Sequence, residues 1–205
     1  MSQIEHYLTI AKGGEGLYKE KGSKFIAHAF FAASEDEVKA IQENLRQQYH
    51  DARHHCYAYV IGPDRSLYRA NDDGEPNHSA GDPILGQINS KNLTNTLVVV
   101  IRYFGGTKLG VSGLINAYKL AAEEALNNSK LITVSITNAA EIKYGYAATS
   151  EVMRLVDEFE LKITDQTFED QCYIKAEVKV GLIEEFKSKL QLLQDTGSEI
   201  EFDID

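Results

Sequence analysis

Between Pro83 and Ala122 the chain has no acidic residue, whereas Lys91, Arg102, Lys108 and Lys119 all fall inside that span. A locally basic surface in the middle of the sequence is therefore expected, although the formal net charge of the whole chain is −10. The acidity belongs elsewhere. Residues 136–205 hold seven Lys/Arg against sixteen Asp/Glu, a net of −9, and residues 1–135 hold fourteen against fifteen, a net of −1. Long apolar runs are missing too. The longest aliphatic stretch, Leu97 to Ile101, is far too short to cross a bilayer, and the opening MSQIEHYLTIAKGGEG has no basic flank followed by an apolar run. A soluble, cytoplasmic chain with no membrane partner is expected. Only two cysteines occur, Cys56 and Cys172, far apart and in no CxxC pair; this excludes a disulfide framework and points to packed thiols in a reducing compartment.

The motifs of nucleotide, hydrolase and zinc chemistry are lacking as well. Gly105 and Gly110 have Walker-A spacing, but Val111 stands where the lysine belongs, and no GxGxxG fits Gly105, Gly106, Gly110 and Gly113. Ser112 lies in GVSGL rather than in a G-x-S-x-G elbow. His50, His54, His55 and Cys56 crowd together without defining a tetrahedral set, and His54 with Cys56 on one strand face reads as packing. No metal and no cofactor are expected.

What is present is enough apolar material, 43% of 205 residues, for one sizeable core or two modest ones. KFIAHAFFAA at 24–33 reads as a buried strand, and Ser34 with Glu37 forms a capping box that opens a helix carrying Val38, Ile41 and Leu45 on one face. HHCYAYVIG and SLYRAN flank the turn Gly62, Pro63, Asp64 and read as a hairpin. Asp82 before Pro83 is an expected helix start, capped by the aspartate, with the helix running to about Ser90. LVVVI reads as a central strand covered on both faces. It leads through the loop RYFGGTKLGVSG into a helix with a stripe of Leu114, Ala117, Tyr118, Ala121 and Ala125. From about Thr137 the pattern restarts in the order βαββαβ, that of a ferredoxin-like sandwich, and the charge changes with it. The expected domains are residues 1–136 and 137–205, in an α+β protein.

The stretch ANDDGEPNHSAGDPILG at 70–86 packs acids, prolines and glycines together with no regular apolar spacing. Its acids Asp72, Asp73, Glu75 and Asp82 lack the alternation of a calcium loop, and capping and turn formation account for them. Taken together, DDGEP at 72–76, SAGDPIL at 79–85, VVVIRYFGGTKLG at 98–110 and GLINAY at 113–118 resemble the IMPACT family, in its bacterial YigZ-like branch. The resemblance extends to GSKFIA at 22–27 and ARHHCYAY at 52–59, so it covers most of the first 130 residues. It implies an N-terminal domain similar to the second domain of ribosomal protein S5, and a C-terminal ferredoxin-like domain similar to the last domain of translation elongation factor G. Eukaryotic relatives regulate translation by protein binding, interfering with activation of a stress kinase; bacterial relatives have no such pathway. The sequence departs from the family patterns GEPxGTAG and KLGxGGL at Asn77, His78, Ser79, Val111 and Ser112.

DDGEP and RYFGGTKLG are accordingly expected to form one binding surface. Its residues are Lys24, His54, Asp72, Asp73, Glu75, Arg102, Tyr103, Phe104, Gly105, Gly106, Lys108 and Gly110. His54 is expected to support the DDGEP loop. Arg102 has two readings, a phosphate contact or a structural ion-pair partner of Asp72 or Glu75. The expected activity is translation-associated binding of RNA, the ribosome or a protein partner, salt-sensitive where RNA is concerned and confined to the N-terminal domain. The alternative is a peptidase-like hydrolase using Asp72, Asp73, Glu75 and His54. The oligomeric state is left open, a monomer included.

Overall fold

The computed structural model describes residues 3–169 and 171–205. They divide into two compact units, His6–Val134 and Ser135–Asp205 with residues 3–5. The secondary structure is mixed and every sheet ladder in the two larger sheets is antiparallel, so the chain is an α+β protein. Among the described residues, no helix is long and apolar enough to cross a membrane.

In the first unit the strands are β1 (His6–Lys12), β2 (Glu15–Glu20), β3 (Ser23–Phe31), β4 (His54–Ile61), β5 (Leu67–Asn71), β6 (Thr96–Tyr103) and β7 (Lys130–Ser135). The helices are α1 (Glu35–Gln48), α2 (Gly81–Ser90) and α3 (Gly110–Asn127). β1 and β7 make a two-stranded sheet, and the other strands form a five-stranded sheet in the order β2-β3-β6-β4-β5. β6 lies at its centre because its side chains are apolar on both faces. Val98 and Val100 pack into a core shared with Ile84 and Ile88 of α2 and Leu114, Tyr118 and Ala121 of α3. Leu97, Val99 and Ile101 pack into a second core with Val38 and Leu45 of α1.

Local chemistry sets the helix starts. Ser34 Oγ accepts the Glu37 N–H at 3.2 Å, as the capping box expected at α1 requires, while Glu37 Oε2 accepts the Ala33 N–H at 2.7 Å, one residue before the cap rather than at it. α2 corrects an expectation. It begins at Gly81 after Ala80, with no side-chain cap of its own, and Asp82 instead meets His78 Nδ1 at 2.6 Å. The cap comes from a distance, from Asp72 in the preceding loop.

The second unit contains β8 (Thr137–Tyr144), α4 (Thr149–Glu158), β9 (Lys162–Phe168), β10 (Cys172–Lys179), α5 (Ile183–Asp195) and β11 (Ile200–Ile204). Its antiparallel sheet runs β11-β8-β10-β9. Ala140, Ile142 and Tyr144 of β8 alternate inward with Ile174, Ala176 and Val178 of β10 against Val152 and Leu155 of α4 and Phe186 and Leu190 of α5. The opposite positions carry charge, with Lys175 of β10 donating to Glu141 of β8 at 2.6 Å.

Candidate functional site

The acids of the DDGEP loop are engaged from inside the protein. Asp72 Oδ1 accepts the Ala80 and Gly81 N–H groups at 2.9 and 2.8 Å, so it caps α2, and Oδ2 accepts the His78 N–H at 2.8 Å. Burial alone would raise the Asp72 pKa, but the backbone donors of Gly81, Ala80 and His78 together outweigh it and hold the carboxyl below its ordinary range. Asp73 Oδ2 takes the His55 N–H at 2.6 Å and Oδ1 takes Arg46 Nη2 at 2.9 Å. Glu75 Oε1 accepts Arg102 Nη1 at 2.5 Å and the Tyr118 hydroxyl at 2.8 Å. The loop backbone is tight as well, with Asp73 at φ 42° and His78 at φ 63°. His78 therefore adopts a left-handed conformation at the position where the family pattern has glycine. Ser79, the neighbouring departure, is buried and donates to the Pro76 carbonyl at 2.6 Å.

His54 lies against this loop, its Nδ1 2.9 Å from the Asp73 carbonyl. A carbonyl only accepts, so Nδ1 carries the proton, and the expected support of the loop is present as a hydrogen bond. Cys56, two residues on along the same strand face, has Sγ 3.0 Å from the Asp72 carbonyl and 3.3 Å from the Tyr118 hydroxyl. Burial pushes both the Cys56 thiol and the Tyr118 hydroxyl well above their ordinary pKa values. Cys56 is thus a neutral donor in a polar network, not a thiolate.

Arg102 joins the two loops, and in doing so it realises the ion-pair reading. Its side chain is 7% exposed and that of Glu75 is 4% exposed, and its guanidinium stands 5.4 Å from the centre of the Phe25 ring and 5.6 Å from that of Phe104. A charge so paired and covered is no free cation for a phosphate. Lys91 is engaged too, donating to Asn127 at 2.7 Å. Of the four cations in the acid-free span, the exposed Lys108 and Lys119 carry no such bond among the described residues.

The glycine loop begins where β6 ends. A Cβ on Gly105 would fall 1.9 Å from the Gly22 carbonyl carbon, so only glycine lets the loop cross the turn before β3 there; the crossing is fastened by the Gly105 N–H on Ser23 Oγ at 3.1 Å. Gly106 and Gly110 have φ of 87° and 74° with open space around them, and Lys108 between them is exposed. Lys24 is exposed on β3, paired across the ladder with Tyr103. The Tyr103 hydroxyl donates to Asp51 at 2.7 Å, which raises its pKa to about 12. Val111 and Ser112 are exposed in the first turn of α3.

Asp51, Ala52, Arg53, His54, Arg102, Tyr103 and Phe104 enclose an open cleft of about 390 Å³ at the ends of β4 and β6. Phe104 is 58% exposed at its rim. Asp51 and Arg53 were not among the expected site residues, although Arg53 belongs to the ARHHCYAY segment already matched to the family. Tyr118 was expected only as part of an apolar stripe; its hydroxyl gave no sign, in helical spacing, that it would bind Glu75.

Fold and site define a two-unit α+β protein whose first unit presents loops of internally bonded acids beside an exposed aromatic and basic rim. The chain belongs to the IMPACT family, in its YigZ-like branch: residues 21–126, which include every expected site residue, match the Impact N-terminal domain. It is 38% identical over 141 residues to the IMPACT family member YvyE of Bacillus subtilis, a match spanning 66% of this chain and 65%, just under two thirds, of that protein. With the IMPACT family member YigZ of Escherichia coli it shares 32% identity over 174 residues, 83% of this chain and 84% of the other. A crystal structure described as that of a hypothetical protein superposes with a TM-score of 0.70 over 97% of both chains at 26% identity.

Proposed function

We propose that this protein is a non-catalytic, translation-associated binding protein that contacts RNA, free or on the ribosome, through the face formed by the DDGEP and RYFGGTKLG loops. The observation that carries this reading is a division of labour. The acids and Arg102 are bonded to the protein itself, while Phe104, Lys108, Lys24 and Arg53 stay exposed around the same loops. Loops fastened by their own hydrogen bonds, with an aromatic ring and exposed cations, suit a backbone with phosphates and unpaired bases. Support for the translation setting comes from topology: the order β8-α4-β9-β10-α5-β11 with the sheet order β11-β8-β10-β9 fits a ferredoxin-like domain similar to the last domain of elongation factor G. The first unit is read in the same way as similar to the second domain of ribosomal protein S5.

The hydrolase reading draws no support from the geometry. Among the described residues, neither Asp72, Asp73 nor Glu75 has its carboxylate hydrogen-bonded to an imidazole, His54 is hydrogen-bonded to a main-chain carbonyl, and the nearby thiol is buried and neutral. Affinity purification of the tagged chain, with and without nuclease, tests the proposal. Ribosomal or other RNA-bearing material should be recovered, should be lost after nuclease, and should fall with the double substitution Lys24→Ala, Lys108→Ala. A partner that survives nuclease but not that substitution transfers the same face to a protein ligand. Recovery indifferent to the substitution would sink the assignment of the face.

A further inference from the structure

The cleft at the ends of β4 and β6 has a floor, a wall and a rim of different chemistry. Its floor is the Arg102 guanidinium, held at 2.5 Å by Glu75, with Nε buried and without a partner among the described residues. Over that guanidinium lies one face of Phe104, the centroid 5.6 Å from Cζ, which leaves the ring fixed in orientation yet 58% exposed. One wall is His54, whose Nδ1 donates to the Asp73 carbonyl, which leaves Nε2 as the other polar atom of the ring. The rim carries exposed Arg53 on the α1–β4 connection, beside the exposed carboxylate of Asp51, whose Oδ1 accepts the Tyr103 hydroxyl.

An aromatic ring backed by a cation and free on its other face is a platform for a flat, electron-rich group. At about 390 Å³ the cleft lies near the small end of ligand pockets, room for a single small moiety. The bases of a duplex are stacked and paired, so they cannot present a face to such a ring, whereas a single strand can splay one base out onto an aromatic side chain. We propose that this cleft takes one unstacked nucleotide of a single-stranded RNA, with the base against Phe104, the base edge toward His54 Nε2, and the adjoining phosphate on Arg53. The proposal rests on the reading of these loops as an RNA-contacting face and names the form of RNA and the point of contact.

The chain contains no tryptophan, so Phe104→Trp places a single indole at the platform. Titration of that variant with a short single-stranded RNA should quench its fluorescence, while a duplex of the same sequence and inorganic phosphate should not. Anisotropy with a labelled single strand should record a loss of about 5- to 150-fold in affinity for Phe104→Ala in the full chain, the cost of one stacked base. Arg53→Ala should lower the slope of log affinity against log salt by about 0.7, the share of one phosphate on a single strand. Melting curves check that each variant remains folded, and Phe104→Trp gives the same answer without removing the ring. If single-stranded RNA binds with no change in indole fluorescence, and Phe104→Ala binds as tightly as the parent, the cleft proposal is overturned while the RNA-contacting face stands. Duplex RNA quenching as strongly as the single strand overturns it too. If no RNA binds to any of these proteins, the face reading falls with it; quenching by an acidic peptide instead would assign the cleft to a protein ligand.

Discussion

Arg102 illustrates how one side chain serves a site without belonging to its outer surface. Its charge is compensated by a carboxylate that is itself buried, so removing either partner strands the other in a low-dielectric setting. Arg102→Ala should therefore lower stability by about 3–5 kcal/mol in urea titrations, whereas Lys108→Ala, at an exposed position, should stay within about 0.5 kcal/mol. Equal, small effects would mean that Glu75 is solvated in solution. Two histidines carry a pH dependence. Burial lowers the pKa of His28, against the pull of Glu15, and burial followed by nearby Arg46 lowers that of His55, whose two ring nitrogens are buried without a hydrogen-bond partner among the described residues. For both, the folded protein holds fewer protons than the unfolded chain once pH drops below the ordinary value of 6.5, so stability should be level above that pH and decline below it. Urea midpoints at several pH values, with His55→Leu as a comparison that should flatten the decline, measure it.

At the scale of elements, the loop and the helix that follows it are one unit joined by Asp72. Asp72→Ala removes the oxygen that takes both N–H groups at the start of α2 and the one that takes the His78 N–H, and should cost about 2 kcal/mol. Amide exchange should quicken at Ala80 and Gly81; unchanged exchange there would show that the cap is dispensable. Much of the element plan was legible beforehand because it follows from local rules. The Ser34 and Glu37 box, the turn at Gly62 and the two-faced apolar run of β6 are each encoded within a few residues. β1, β2 and β7 were not, since short half-exposed strands such as GLYKE owe their pairing to partners distant in sequence. The same limit governed the site. His54 beside the loop followed from strand patterning, but the partner of Arg102 was one of two candidates, and the cap of α2 was assigned to Asp82 when the acceptor sits eight residues before Ala80. Long-range hydrogen bonds leave no periodic trace.

For the molecule as a whole, the uneven charge acts at a distance. A chain in which residues 136–205 carry a net −9 repels phosphates wherever they approach at low ionic strength, and the repulsion fades as salt screens it. Exchanging three exposed acids of the second unit, by Glu199→Gln, Glu201→Gln and Asp203→Asn, should raise affinity for RNA severalfold at low salt and have little effect at about 0.5 M; an effect that persists at high salt would point to a direct contact instead. The position of β6 has a further consequence, which concerns the order of synthesis. Residues 23–31 and 54–61 leave the ribosome long before 96–103, and each of those strands has one neighbour close in sequence and β6 as the other. Until the sixth strand emerges, two apolar hairpin edges face water with their hydrogen bonds open, and both cores that β6 divides are incomplete. The nascent chain is most exposed to mispairing in that interval, so a translational pause that leaves the chain outside the ribosome only as far as residues 72–96 should be more damaging than one that leaves it outside through Tyr103.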